Sequence, residues 1–186
     1  NSPRDAVELG IAYIPEDRKL HGVFLGLPIL MNITLSILKD ISKLLFVKRQ
    51  SEHQIVAKYI DDLKIKTPSI FQLVKNLSGG NQQKVALSKW LASDAEVIIF
   101  DEPTRGIDVG AKQEIYTLMK ELANTGKGII MVTSEMEELL GMSDRIIVLH
   151  EGSKVGVVDD KALFEQEIIM EMASGGHNTK KEVQCA

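Results

Sequence analysis

Val97-Ile98-Ile99-Phe100-Asp101-Glu102 is a short apolar run that ends on two adjacent carboxylates. Such a run without polar interruption reads as a strand buried on both faces, the habit of a parallel sheet. The acids then fall at the strand's carboxyl end, where open α/β sheets bind their ligands. Two charges are costly there without a cation or hydrogen-bond donors. One reading is chemical: Asp101 holds Mg²⁺, directly or through water, and Glu102 orients or deprotonates an attacking water. The other is a helix cap beside a surface salt bridge, and the hexapeptide alone leaves both open.

Downstream, Ile129-Ile130-Met131-Val132 is a second apolar run, and between the two Ile115, Leu118, Met119 and Leu122 share one face of a helix that Gly126 and Gly128 bracket at its end. Strand, helix, strand predicts a right-handed crossover in a parallel sheet covered on both faces. Upstream, Leu9 to Ile14 reads as another strand, ended by Pro15 and followed by Glu16-Asp17-Arg18-Lys19. From Leu27 to Leu73 apolar residues recur at three- and four-residue steps, which predicts a helical segment with a break at Pro68. Ile146 to Leu149 and Lys154 to Val158 flank Glu151-Gly152 as a hairpin or a turn near the sheet edge. A last helix is expected from Ala162 to Met172, then a polar tail from Ser174 to Ala186.

The length of 186 residues suits about one domain, and 44% hydrophobic with 26% charged residues is globular usage. A net charge of −4 gives no global reason to bind nucleic acid or anionic lipid. The lone Cys185 excludes an internal disulfide framework, and His21, His53, His150 and His177 are not at metal-ligand spacing. The apolar run from Val23 to Ile33 is interrupted by Gly26, Pro28 and Asn32, well short of a membrane span.

A second constellation is Leu77-Ser78-Gly79-Gly80-Asn81-Gln82-Gln83-Lys84-Val85. Ser78 is a good N-cap, and the two glycines clear the space in front of the first helical amides, where an anion would meet donors and the positive helix end. A plain capped helix is the alternative, and the residue chemistry alone does not choose.

Together these stretches resemble a known family. Leu77 to Gln83 is similar to the signature sequence of ABC-transporter ATPases, Val97 to Glu102 resembles their Walker B strand, and Asp108 in Gly106-Ile107-Asp108-Val109-Gly110 resembles their D-loop aspartate. More narrowly, Tyr13 to Lys19, Asn81 to Val85 and Asp101 to Ala111 are similar to the second nucleotide-binding domain of tandem ATPases that drive bacterial import of ribose, galactose and other simple sugars. The resemblance implies an α/β fold, a partial P-loop NTPase (RecA-like, ABC-type) with a parallel sheet and an inserted helical subdomain. It divides the chain into a core strand and Q-loop region at 1–26, a helical subdomain ending in the signature helix at 27–95, the rest of the ATPase core at 96–173 and a flexible tail at 174–186.

It also implies roles. Asp101 coordinates Mg²⁺, and Glu102 is the general base for attack of water on the γ-phosphate of ATP. Ser78, Gly79, Gly80 and Gln82 serve the ATP held by an opposite nucleotide-binding domain, and Asp108 passes information across that interface. Further implied partners are a membrane permease, whose coupling helix the helical subdomain receives, and indirectly a periplasmic or extracellular sugar-binding protein. The implied location is peripheral, on the cytoplasmic face of the bacterial inner membrane, without nucleic acid.

Three departures from the family pattern stand out. Glu16 falls at the family's Q-loop glutamine, a carboxylate near phosphates that needs a cation such as Arg18 or Lys19 beside it. Ser134 falls at the switch histidine; it can donate a hydrogen bond but carries no imidazolium, and a helix N-cap is its other reading. No Gly-x-x-x-x-Gly-Lys-Ser/Thr loop occurs anywhere in the 186 residues. Without that phosphate cradle the isolated chain is expected neither to bind ATP tightly nor to hydrolyse it, and the uncovered sheet is expected to invite non-native self-association. Two alternatives compete with an importer ATPase: a regulatory half-site that supplies its signature in trans, and an ABC-type ATPase of DNA repair or translation. Only about sixty residues separate Arg18 from Ser78, which leaves little room for the insertions of the latter.

Overall fold

The computed structural model describes residues 2–43 and 46–175. It divides into two units, one ending at Val132 and the other starting at Thr133.

The first unit is built on a parallel sheet of β1 (Ile11–Ile14), β4 (Val97–Asp101) and β5 (Gly128–Val132), in the order β1-β4-β5. The register pairs Ala12 with Ile98 and Ile98 with Ile129, then Ile14 with Phe100 and Phe100 with Met131. Because side chains alternate along a strand, these six share one face. On it Ala12, Ile14, Ile98 and Phe100 are completely buried, with at most 1% of their surface exposed. Tyr13, Ile99 and Ile130 lie on the other face, and there Ile130 and Val132 are half exposed. Among the described residues of this unit, the second face is thus left partly open, although apolar strands record a sheet that needs both faces buried.

A short helix, α1 (Pro3–Glu8), precedes β1. Ser2 and Asp5 form a reciprocal capping box, with Asp5 Oδ2 accepting from the Ser2 N–H at 2.7 Å, and Pro3 sits at a helix start where its missing N–H costs nothing.

Between β1 and β4 lie α2 (Ile29–Thr34), α3 (Arg49–Asp62) and α4 (Gly79–Leu91). Helix α2 packs against both α3 and α4 around Ile29, Ile33, Val56, Val85 and Leu87. Asn32 is fully buried and fully employed: its Oδ1 accepts from the Phe24 N–H at 2.7 Å, and its Nδ2 donates to the carbonyls of Phe24 and Pro28 at 3.0 and 3.1 Å. The stretch is not continuously helical. After Leu35–Ile37 tightens into a 3₁₀ turn, Ser42–Lys43 (β2) pairs antiparallel with Phe46–Val47 (β3). An aromatic and a β-branched residue just past a helix stop favour that pairing over another helical turn.

Helix α5 (Val109–Asn124) joins β4 to β5. Ile115, Leu118 and Met119 are its buried stripe, and Gly126 at φ +92° turns the chain back toward β5.

The second unit contains α6 (Met136–Met142), β6 (Ile146–His150), β7 (Ser153–Val158) and α7 (Gln166–Ala173). Strands β6 and β7 form an antiparallel hairpin whose loop residues Glu151 and Gly152 both have positive φ, +46° and +77°, as a type I′ turn requires. Ile146, Val148, Val158 and Ile169 form its core. Helix α7 starts later than expected because Asp160 accepts from the Ala162 N–H at 2.9 Å and holds Lys161–Leu163 in a separate 3₁₀ turn. Of the expected tail only Ser174 and Gly175 are described; His177 and Cys185 lie outside the described residues.

Candidate functional site

At the carboxyl end of β4 the chain leaves the sheet abruptly. Glu102 has φ +46°, a left-handed conformation unusual for a residue with a side chain, and its N–H donates to the Val132 carbonyl at 2.9 Å. The kink separates the two acids. Asp101 stays in register with Val132, on the open face of the sheet, while Glu102 begins the loop to α5. Among the described residues no hydrogen bond or ion pair engages the Glu102 carboxylate.

Among the described residues Asp101 has one side-chain partner, a residue that the sequence did not single out. The Tyr13 hydroxyl donates to Asp101 Oδ2 at 2.6 Å, and that bond, with a smaller contribution from burial, raises the phenol's pKa. Tyr13 pairs with Ile99, two residues before Asp101, so alternation places both side chains on the same face of neighbouring strands. The bond leaves Asp101 Oδ1 available, and one open carboxylate oxygen beside a neighbouring acid suits Mg²⁺, which takes few protein ligands and keeps waters and phosphate oxygens.

The loop after Glu102 is compact. Arg105 N–H donates to the Glu102 carbonyl at 3.1 Å, Thr104 is buried, and Gly106 takes φ +67°. Asp108 then caps α5, its Oδ1 accepting from the Ala111 N–H at 3.0 Å.

Ser78 caps α4 in the same manner: its Oγ accepts from the Asn81 N–H at 3.5 Å and from Asn81 Nδ2 at 2.9 Å. A methyl group on Gly80 would stand 2.9 Å from the Ala111 Cβ, too close for any real pair, so Gly80 is what lets the first turns of α4 and α5 touch. Gln82 points inward. It is buried, its Nε2 donating to the carbonyls of Val74 and Leu77, both at 3.2 Å, so its side chain braces α4 from within. Lys84, also buried, forms an ion pair with Glu114 at 2.7 Å and donates to the Lys64 carbonyl at 3.3 Å; that contact lowers the Glu114 pKa.

Glu16 forms an ion pair with Arg105. The cation that answers its charge is thus neither Arg18 nor Lys19 but a residue 89 positions away in sequence (105 − 16). Glu16, Asp17, Arg18, Lys19 and Arg105 line a cleft of about 290 Å³.

Ser134 belongs to the second unit and is exposed. It is not the N-cap of α6, a position that Glu135 holds. Thr133 organises that turn instead, accepting from the Glu135 N–H at 3.1 Å and donating to Glu138 at 2.9 Å.

A parallel sheet with an acidic pair at the end of its middle strand, a helical insertion after the first strand, and two capped helices in contact define a P-loop NTPase fold of the ABC type. Residues 4–105 match the family model for ABC transporters, and the chain belongs to that family. It is 51% identical over 176 residues to a xylose import ATP-binding protein of Thermoanaerobacter pseudethanolicus, which covers 95% of this chain and 35% of the relative. A ribose import ATP-binding protein of Geobacillus kaustophilus is 49% identical over 176 residues, with the same coverage of 95% and 35%. An L-arabinose transport ATP-binding protein of Geobacillus stearothermophilus is 51% identical over 164 residues, 88% of this chain and 32% of its own. The chain spans about a third of the length of these relatives. A solved ATP-binding cassette of an ABC transporter superposes with a TM-score of 0.75 at 17% identity, covering 92% of this chain and 71% of the cassette.

Proposed function

We propose that this chain is the C-terminal part of the second nucleotide-binding domain of an ATP-binding protein that drives import of a simple sugar. The observation that carries the reading is the separation of Asp101 and Glu102 at the end of β4, beside two helix starts packed in contact through Gly80 and Ala111. Asp101, steadied by Tyr13, would hold Mg²⁺, which supplies charge neutralisation for the phosphates of ATP. Glu102, with its carboxylate unengaged, would accept the proton of the attacking water. Ser78, Gly79 and Gly80 would serve the nucleotide of the opposite domain, and Asp108 would lie along that shared boundary.

Phe24, Met31, Leu35, Leu38 and Phe71 expose apolar surface within residues 27–95 and their immediate flank, which suits an apolar element of a permease. No helix among the described residues is long and apolar enough to cross a membrane, in keeping with a peripheral place beside that permease. Selection of the sugar would belong to the permease and a separate binding protein.

A second reading, a regulatory half-site, is favoured by Ser134: a domain without a switch imidazolium would lend its signature in trans while turning over slowly itself. Both readings predict that Ser78→Arg in the full-length transporter abolishes nucleotide-dependent closure through the opposite site; normal closure would remove the signature assignment. Titration calorimetry of the 186-residue chain with Mg-ATP is expected to show no micromolar binding, since these residues include no phosphate loop, and such binding would overturn that expectation.

A further inference from the structure

Arg18 stands where three stretches of the first unit meet. Its Nη1 donates to the Arg105 carbonyl at 3.1 Å and its Nη2 to the Gly106 carbonyl at 3.4 Å. A Cβ on Gly79 would lie 2.7 Å from that same Nη2 and 3.5 Å from Ile107 Cγ2. The guanidinium therefore fills the space that a side chain at position 79 would need. It is partly buried, and among the described residues no carboxylate is bonded to it and its Nε has no partner. Desolvation lowers its pKa, with the charge of Asp17 opposing that effect. An arginine left in such surroundings is costly unless its rigid fork does something that a simpler side chain cannot. Here the fork spans two consecutive carbonyls of the loop that leads to Asp108.

The other end of the same segment is also held by α4. Residues Arg18–Gly22 form a single π-helical turn, a rare conformation that clusters at functional positions. Lys89 Nζ donates to the Gly22 carbonyl at 2.6 Å, and a Cβ on Gly22 would be 3.6 Å from that of Ala86. The start of α4 thus meets this turn at Arg18, and its last turns meet it at Gly22.

We propose that Arg18 is a positioning residue for the start of α4: it sets the spacing between Gly79 and the Arg105–Gly106 backbone, so that Ser78–Gly80 and Asp108 keep one geometry. Its consequence for turnover rests on the ATPase reading above; the arrangement itself does not. A side chain at 79 would have to push the guanidinium aside, so the effect of Gly79→Ala should pass through Arg18.

Arg18→Ala, Gly79→Ala and the double variant of the 186-residue chain separate these ideas by hydrogen exchange. Each single change is expected to speed exchange of the 105–108 amides several-fold while β4 stays protected, and the double variant to be no faster than either single one. Additive effects, or unchanged exchange, would overturn the arrangement. Should Arg18→Ala lose β4 protection altogether, Gly79→Ala and Arg18→Lys, which retain a cation or the whole side chain, carry the comparison. In the full-length transporter, Arg18→Ala is expected to lower kcat by about 10-fold with little change in KM for ATP, as misplacement of groups that act across an interface would. Arg18→Lys, able to reach one carbonyl, should recover part of it. Loss of turnover with Ser78→Arg but not with Arg18→Ala would refute the positioning role; loss with neither would overturn the signature reading and this role with it.

Discussion

The two faces of the three-stranded sheet are built from the same kinds of residue and have opposite fates. On one, Ala12, Ile14, Ile98 and Phe100 are sealed from solvent; on the other, Tyr13, Ile130 and Val132 stand about half exposed. The buried face is where the sheet gains its share of hydrophobic stabilisation. The open face carries Asp101 and its tyrosine. Apolar strand composition therefore says that both faces are meant to be covered, and it does not say by what.

The strongest way to break this contrast is Phe100→Ala, expected to cost about 3–5 kcal/mol in denaturant unfolding because it opens a cavity in the sealed layer. Ile130→Thr on the open face should change stability by no more than about 0.5 kcal/mol. It should also reduce any self-association seen by sedimentation, and equal losses for the two would erase the distinction. On the ATPase reading proposed above, Glu102→Gln tests the chemistry of the open side: in a full-length tandem ATP-binding protein with its first domain inactivated, ATP turnover should fall by about 100-fold or more while ATP-bound closure persists. Unchanged turnover would remove Glu102 as the base. Tyr13→Phe is a smaller change, removing one hydroxyl and its bond to Asp101. We expect the Mg²⁺ concentration for half-maximal ATPase to rise several-fold with stability altered by about 1 kcal/mol at most.

The smallest effect concerns the Lys84–Glu114 pair, which ties α4 to α5. The Glu114 pKa is lowered by Lys84, so its contribution is present above the ordinary carboxylate pKa and is lost as pH falls through the depressed folded value. Glu114→Gln should therefore destabilise at neutral pH, and the difference from the parent should shrink in acid. A constant difference across that range would mean that the carboxylate's charge is irrelevant.

Local pattern made β4, α5 and β5 legible, because each carries an uninterrupted run or a clear helical stripe. Ser78 was legible as a cap because its chemistry is satisfied within three residues, whereas Asp108 stood out only through the family resemblance and its capping of α5 is a finding of the structure. What escaped the sequence depends on distant register. Tyr13 and Asp101 are 88 residues apart, and nothing short of the parallel pairing of β1 with β4 brings them together. Glu16 stood out as a charge without an answer, yet its cation, Arg105, lies on the far side of the helical insertion. Gln82 sat inside a signature read as serving a ligand, and only the packing of α4 against the Val74–Leu77 backbone shows that it is buried, together with Gly80 and Gln83.

The left-handed backbone at Glu102 sets selection for durability against selection for work. A residue with a side chain held at φ +46° costs roughly 1 kcal/mol, a strain that glycine would not feel. A screen that rewards heat resistance alone should therefore enrich Glu102→Gly, discarding the carboxylate to relax the turn. Retention of an acid at this position in an active protein would then mark a place where function, and not folding, chooses the residue.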